Sequence, residues 1–190
     1  MSSPRRFLTL LTVLPLLVPV GGCMSWTPGW EGSPLSSGSA SAGESAPSSA
    51  LARAEALFEN AGDAPQLQQA IREYEALLPS AADAGAVLAR LSEAHILFGA
   101  AYADGKNAKA GAYTTGIRYA ERAMAGNPAF RRRVEAGEPL GDASAELTRA
   151  EIRPMLFWVT GVSYYYKECL SGLGHLLQFR WMLRTRQAME

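Results

Sequence analysis

The stretch that most constrains this chain runs from Ser92 to Phe130, SEAHILFGAAYADGKNAKAGAYTTGIRYAERAMAGNPAF. Its first half sets His95, Phe98, Gly99 and Tyr102 at helical spacing, and its second half sets Gly116, Ala120 and Ala123 on one helical stripe. The pattern predicts two antiparallel helices, 86–102 and 110–126, joined by a polar loop at Asp104–Asn107. Small residues at Gly99, Gly116, Ala120 and Ala123 let the two backbones approach closely, while Phe98, Tyr102 and Tyr119 fill the space left over. Pro128 cannot continue a helix and moves Asn127 out of the α region, so the second helix stops there. Such a pair cannot bury its apolar face alone, and the rest of the chain must supply neighbours.

The chain has the means to do so. It has 190 residues, 48% of them hydrophobic, and no formal net charge. That supports one core of ordinary size. Neutral charge and few basic clusters argue against nucleic acid as a partner. Cys23, Cys169, His95 and His175 are the only cysteines and histidines, and their spacing does not form a zinc site. There is no P-loop, no GxGxxG opening a helix and no HExxH. Nothing in the pattern asks for catalysis, a metal or a cofactor, and the expectation is a protein that is not an enzyme.

The N-terminus reads as an address. Arg5 and Arg6 precede an apolar run from Phe7 to Val20 that Pro15 and Pro19 interrupt. The run is too short to be a permanent spanning helix, which needs about 20 residues. Val20-Gly21-Gly22-Cys23 follows. It resembles the bacterial lipobox, in which the cysteine is lipidated and becomes the first residue of the mature protein. An ordinary secretory signal containing a cysteine is the alternative. Residues 1–23 are therefore expected to be a lipoprotein signal and Cys23 the lipidation site. Each buried CH₂ of the lipid contributes ~0.8 kcal/mol of membrane affinity, so more than one acyl chain makes a stable anchor. Met24 stands where an Asp would retain the protein at the inner membrane of Gram-negative bacteria. The expected place is thus the cell envelope, lipid-anchored and facing the periplasm, at the outer rather than the inner membrane. Cleavage would remove two of the 18 basic residues and none of the 18 acidic ones, leaving a slightly acidic mature chain whose one free thiol is Cys169.

Residues 24–50 read as a flexible linker. Of the 24 residues Thr27–Ala50, 19 are Ser, Gly, Ala or Pro, too few apolar groups to order themselves. As a coil the segment would span ~27 Å. Trp26 and Trp30 suit either a headgroup layer or plain solvent.

From Leu51 to Glu190 the apolar period is helical, and residues 51–190 form the expected domain. A first hairpin runs over 51–60 and 65–78, with Pro65 in a first helical turn. The hairpin of Ser92–Phe130 comes second. A short helix follows around 130–135, and another over 142–152 with Asp142 as its cap. The segment from Glu151 to Leu170 is read as helix because Trp158, Val162, Tyr165, Cys169 and Leu173 form one stripe. A last helix is expected over 176–189.

Large and small residues alternating within each hairpin, with a terminal proline, resemble tetratricopeptide units. More widely, residues 51–190 resemble the T-component family of TRAP transporters. The matching pieces are LFENAGDAPQLQQAIREYEALLP, LSEAHILFGAAY, GIRYAERAMAGNPAF and PMLFWVTGVSYYYKECLSG, in that order behind the lipobox. The resemblance implies an all-α fold of tetratricopeptide-like hairpins stacked into a compact right-handed solenoid or bundle. It implies a lipid-anchored accessory that binds the periplasmic solute-binding protein of a TRAP uptake system, possible homo-oligomers, and passages lined by apolar groups for a small apolar ligand. Trp158, Tyr164 and Tyr166 are the candidate ligand-binding residues, since aromatic walls suit apolar solutes. Trp158 and Tyr165 also sit on the stripe expected to pack inward. The family has more than one tryptophan where this chain reads Tyr164-Tyr165-Tyr166. It also continues with further hairpins beyond the position of Glu190, which would leave Leu176, Phe179 and Met182 as an exposed patch. The second reading is a general protein-interaction scaffold of the envelope with no ligand of its own.

Other groups have plainer expectations. Cys169 is a buried inert thiol, His95 a packed histidine and His175 an exposed helix start. Arg131, Arg132 and Arg133 form a solvated face paired with Glu135 and Glu138. Glu73, Glu75, Glu93 and Glu121 read as helix surface.

Overall fold

A computed structural model describes residues 46–172, which are helical with no β-strand among them. The lipobox with Cys23, Trp26, Trp30, His175, the helix expected over 176–189 and its patch of Leu176, Phe179 and Met182 lie outside the described residues. In chain order the helices are α1 (Ala46–Glu59), α2 (Ala64–Leu77), α3 (Ala84–Ala101), α4 (Gly105–Met124), α5 (Pro128–Glu135), α6 (Leu140–Ala143) and α7 (Ile152–Tyr164).

Local chemistry sets most of the boundaries. The Asp63 carboxylate accepts the Gln66 N–H at 2.9 Å, and Pro65 sits in the first turn of α2. Asp83 does the same for Ala86 at the start of α3. Asn127 ends α4 and also starts α5, its side-chain oxygen accepting from Ala129 and Phe130 at 3.0 and 3.2 Å. Arg131 pairs with Glu135 and Arg133 with Glu138, each at 2.7 Å, and Arg133 also reaches Glu146.

The first hairpin, α1 with α2, closes on α3 around Ala54, Ile71, Tyr74, Val87 and Leu91. The second cluster, around Ile117, Met124, Phe130, Trp158 and Val162, joins α4 to α5 and α7. Three glycines bring α3, α4 and α7 together. A β-carbon on Gly99 would lie 2.6 Å from the Tyr113 ring, one on Gly116 would lie 2.7 Å from Ile96, and one on Gly161 would lie 2.9 Å from both Ile96 and Ile117. The close approach expected at Gly99 and Gly116 is there, and Gly161 extends it to a third helix.

Four expectations are corrected. Helix α1 begins at Ala46, inside the stretch read as linker, with Pro47 in its first turn. The polar loop expected at Asp104–Asn107 is only Tyr102–Asp104, because Gly105 at φ 77° turns the chain at once and Asn107 joins α4. No helix runs over 142–152. Pro139 starts the single turn α6, Leu147 is extended (ψ 146°), and Thr148 with Glu151 forms a capping box that opens the way into α7. Asp142 lies inside α6 and caps nothing. Finally, Glu121 is not surface: it is 1% exposed, on the same stripe of α4 as Ile117 and Met124. Glu93 is also largely covered, its side chain 15% exposed between Arg90 and Arg153.

Candidate functional site

Three helices leave an open groove of about 420 Å³ between them. Arg72 and Glu75 of α2 form one wall, Gly111 and Thr115 of α4 the other, and His95 and Phe98 of α3 the floor. The geometry follows from helical spacing. Arg72 and Glu75 are three apart, as are His95 and Phe98, and Gly111 and Thr115 are four apart, so each pair presents one face. Gly111 has open space where a β-carbon would stand, which keeps that wall low.

A polar cluster closes one end. The Tyr119 hydroxyl donates to Glu75 at 3.1 Å, and the His95 ring stacks on the Tyr119 ring at 5.4 Å. The Arg122 guanidinium lies over the Tyr119 ring, 5.6 Å from its centroid. His95 Nε2 is 3.8 Å from Glu75, too far for a hydrogen bond. Burial lowers the His95 pKa, with the Glu75 carboxylate opposing. The Tyr119 hydroxyl is pushed up to about 12, first by burial and then by Glu75. At neutral pH the groove therefore offers a neutral imidazole, a carboxylate, the Arg72 cation and an apolar floor. That set suits contact with an amphipathic segment of another protein.

The candidate aromatic residues lie elsewhere. Trp158 is 2% exposed, and its indole N–H donates to Glu121 at 3.0 Å in the core between α7 and α4. Tyr164 is half-buried and stacks on Tyr113 at 5.6 Å. Tyr166 is half-buried in the wide turn that ends α7. None of the three lines the groove. Cys169 is buried, and burial pushes its thiol up. Among the described residues no group of three or more His, Cys, Asp or Glu could hold a metal, and no helix is long and apolar enough to cross a membrane.

Sequence reasoning missed the groove because it is made by three helices at once, and no single stripe announces it. Glu121 did carry a signal. It stands four residues after Ile117, on the buried side of α4, and its position is a better guide than its charge.

Comparison with protein-family models, with curated proteins and with solved structures finds no match to the chain.

Proposed function

We propose that this protein is a lipid-anchored accessory subunit of a TRAP-type solute uptake system, held in the envelope by Cys23 and facing the periplasm. In this reading α1/α2 and α3/α4 are consecutive tetratricopeptide-like hairpins of a short solenoid. Their groove docks the periplasmic solute-binding protein, and a small apolar ligand is handed between the two with no bond made or broken. The observation that carries the reading is the coincidence of motif and fold. The four sequence pieces resembling the T-component family fall on α1/α2, α3, α4/α5 and α7, the helices that build the core and its groove. The mixed lining of the groove supports a protein partner over a buried solute, since it is open and carries both a cation and a carboxylate.

A second reading, a general scaffold of the envelope, is favoured by the position of Trp158, whose ring is committed to the core and to Glu121. One experiment separates the two. The gene is deleted in its host, and uptake is measured for the solute of the TRAP system encoded beside it. The transporter reading expects uptake to fall and to be restored by the native gene but not by Cys23→Ala. Unchanged uptake, or neighbouring genes unrelated to transport, puts the scaffold first.

A further inference from the structure

Helix α7 does not end as an α-helix. Its continuation, Tyr165–Cys169, is a π turn, one residue wider than an α turn. The extra residue decides what faces α4. Tyr164 stacks on Tyr113, and the Glu168 carboxylate accepts from Lys109 Nζ at 2.8 Å and from the Tyr113 hydroxyl at 3.0 Å. The Cys169 thiol lies buried, 3.7 Å from the Lys106 carbonyl oxygen, and the Lys106 ammonium reaches the Ser171 hydroxyl at 3.1 Å. Beyond the turn Leu170 is extended and Gly172 has φ 57°.

A π turn has poorer geometry than the α turn it replaces and is found as single turns where other contacts favour it. The contacts that do so here converge on Glu168. The Glu168 and Lys109 side chains are near solvent, 23% and 29% exposed, whereas Tyr113 and Val162 are wholly buried. Opening the turn therefore costs the Glu168 contacts and the cover over Cys169, while Val162, one turn earlier, stays in the core.

We propose that Glu168 is a latch. Clasped by Lys109 and Tyr113 it holds the wide turn and covers Cys169. Released, residues 165–169 revert to α geometry and Cys169 becomes reachable. This inference is independent of the transporter reading.

The thiol is its own reporter, because the full chain with Cys23→Ala keeps Cys169 as its one cysteine. Its labelling by a disulfide reagent is read as the limiting rate on the alkaline plateau, which removes any change in thiol acidity. Glu168→Gln is expected to raise that rate about tenfold, and Tyr113→Phe, which keeps the ring stack, about threefold, both through a local opening whose rate stays nearly independent of urea below the unfolding transition. Glu135→Gln, distant from the turn, is expected to leave it unchanged. A second reporter, Val162→Cys with Cys169→Ser, is expected to label far more slowly than Cys169 with or without Glu168→Gln, and to speed up steeply with urea. A Cys169 rate that rises with urea as steeply as that of position 162 would mean exposure by general unfolding and overturn the latch. So would a Cys169 rate that stays within about twofold in both variants. If Glu168→Gln does not fold, Tyr113→Phe decides the question alone.

Discussion

The meeting of α3, α4 and α7 at glycines makes a prediction that can be worked from distances. In Gly116→Ala the new methyl would lie 2.7 Å from Ile96 Cγ1 and 3.0 Å from the Ser92 carbonyl oxygen. The first contact is with a branched side chain that is itself 1% exposed, and the second is with the backbone of a helix, so neither neighbour has room to yield. Overpacking of this kind costs about 1–3 kcal/mol. Replacing a mid-helix glycine by alanine returns about 0.5–1 kcal/mol of helix propensity. The net expectation is a loss of about 1–2 kcal/mol. Gly111, five residues earlier on the same helix, supplies the control. It has nothing within 4 Å of a built β-carbon, so Gly111→Ala should keep the propensity gain alone and stabilise by about 0.5–1 kcal/mol. The two variants should therefore differ by about 2 kcal/mol, with opposite signs. Urea unfolding followed by circular dichroism, on chains that all carry Cys23→Ala, gives both numbers if the slope of the transition stays constant. A Gly116→Ala protein as stable as Gly111→Ala would refute close helix approach as the reason for the glycine.

Three further outcomes follow from the same structure. Trp158→Phe removes the indole donor from the buried Glu121 carboxyl and should cost about 2 kcal/mol in urea unfolding, well above the cost of an exposed aromatic substitution. His95 is held neutral by burial, so the unfolded chain binds its proton more readily, and His95 contributes stability at neutral pH that is lost as pH falls through the unfolded value. Urea midpoints of the native chain should decline more than those of His95→Gln between about pH 7 and pH 5.5, and parallel declines would count against it. Arg153→Ala breaks a bridge from α7 to Glu93 that is 45% exposed on its arginine side, while Arg90 still holds Glu93, so the loss should be under about 1 kcal/mol and shrink in high salt.

The parts of the fold that were readable were those with a local cause. Asp63 with Pro65 and Asn127 with Pro128 mark helix ends through groups only a few residues apart, and the structure puts the ends there. The region after Pro139 misled because Asp142 looks like a helix cap, while the Thr148–Glu151 capping box that starts a new helix is only four residues long. Glu121 misled because charge was weighed above position. The wide turn at Tyr165–Cys169 had no visible signal: the expected stripe of Trp158, Val162, Tyr165 and Cys169 assumes an unbroken α-helix, and the turn arises from α4 residues some 55–60 positions away. The groove was illegible for the same reason, since α2, α3 and α4 make it jointly.

The most direct test of the account is a photocross-link from the groove. A photoreactive amino acid is placed at Thr115 in the full-length protein, in its native host, and the adduct is identified by mass. The account predicts a periplasmic solute-binding protein of a TRAP-type system, and loss of the adduct when the probe is moved to Arg132, exposed on α5. Adducts with unrelated envelope proteins, or equal yields from both positions, would contradict a transporter partner seated in the groove.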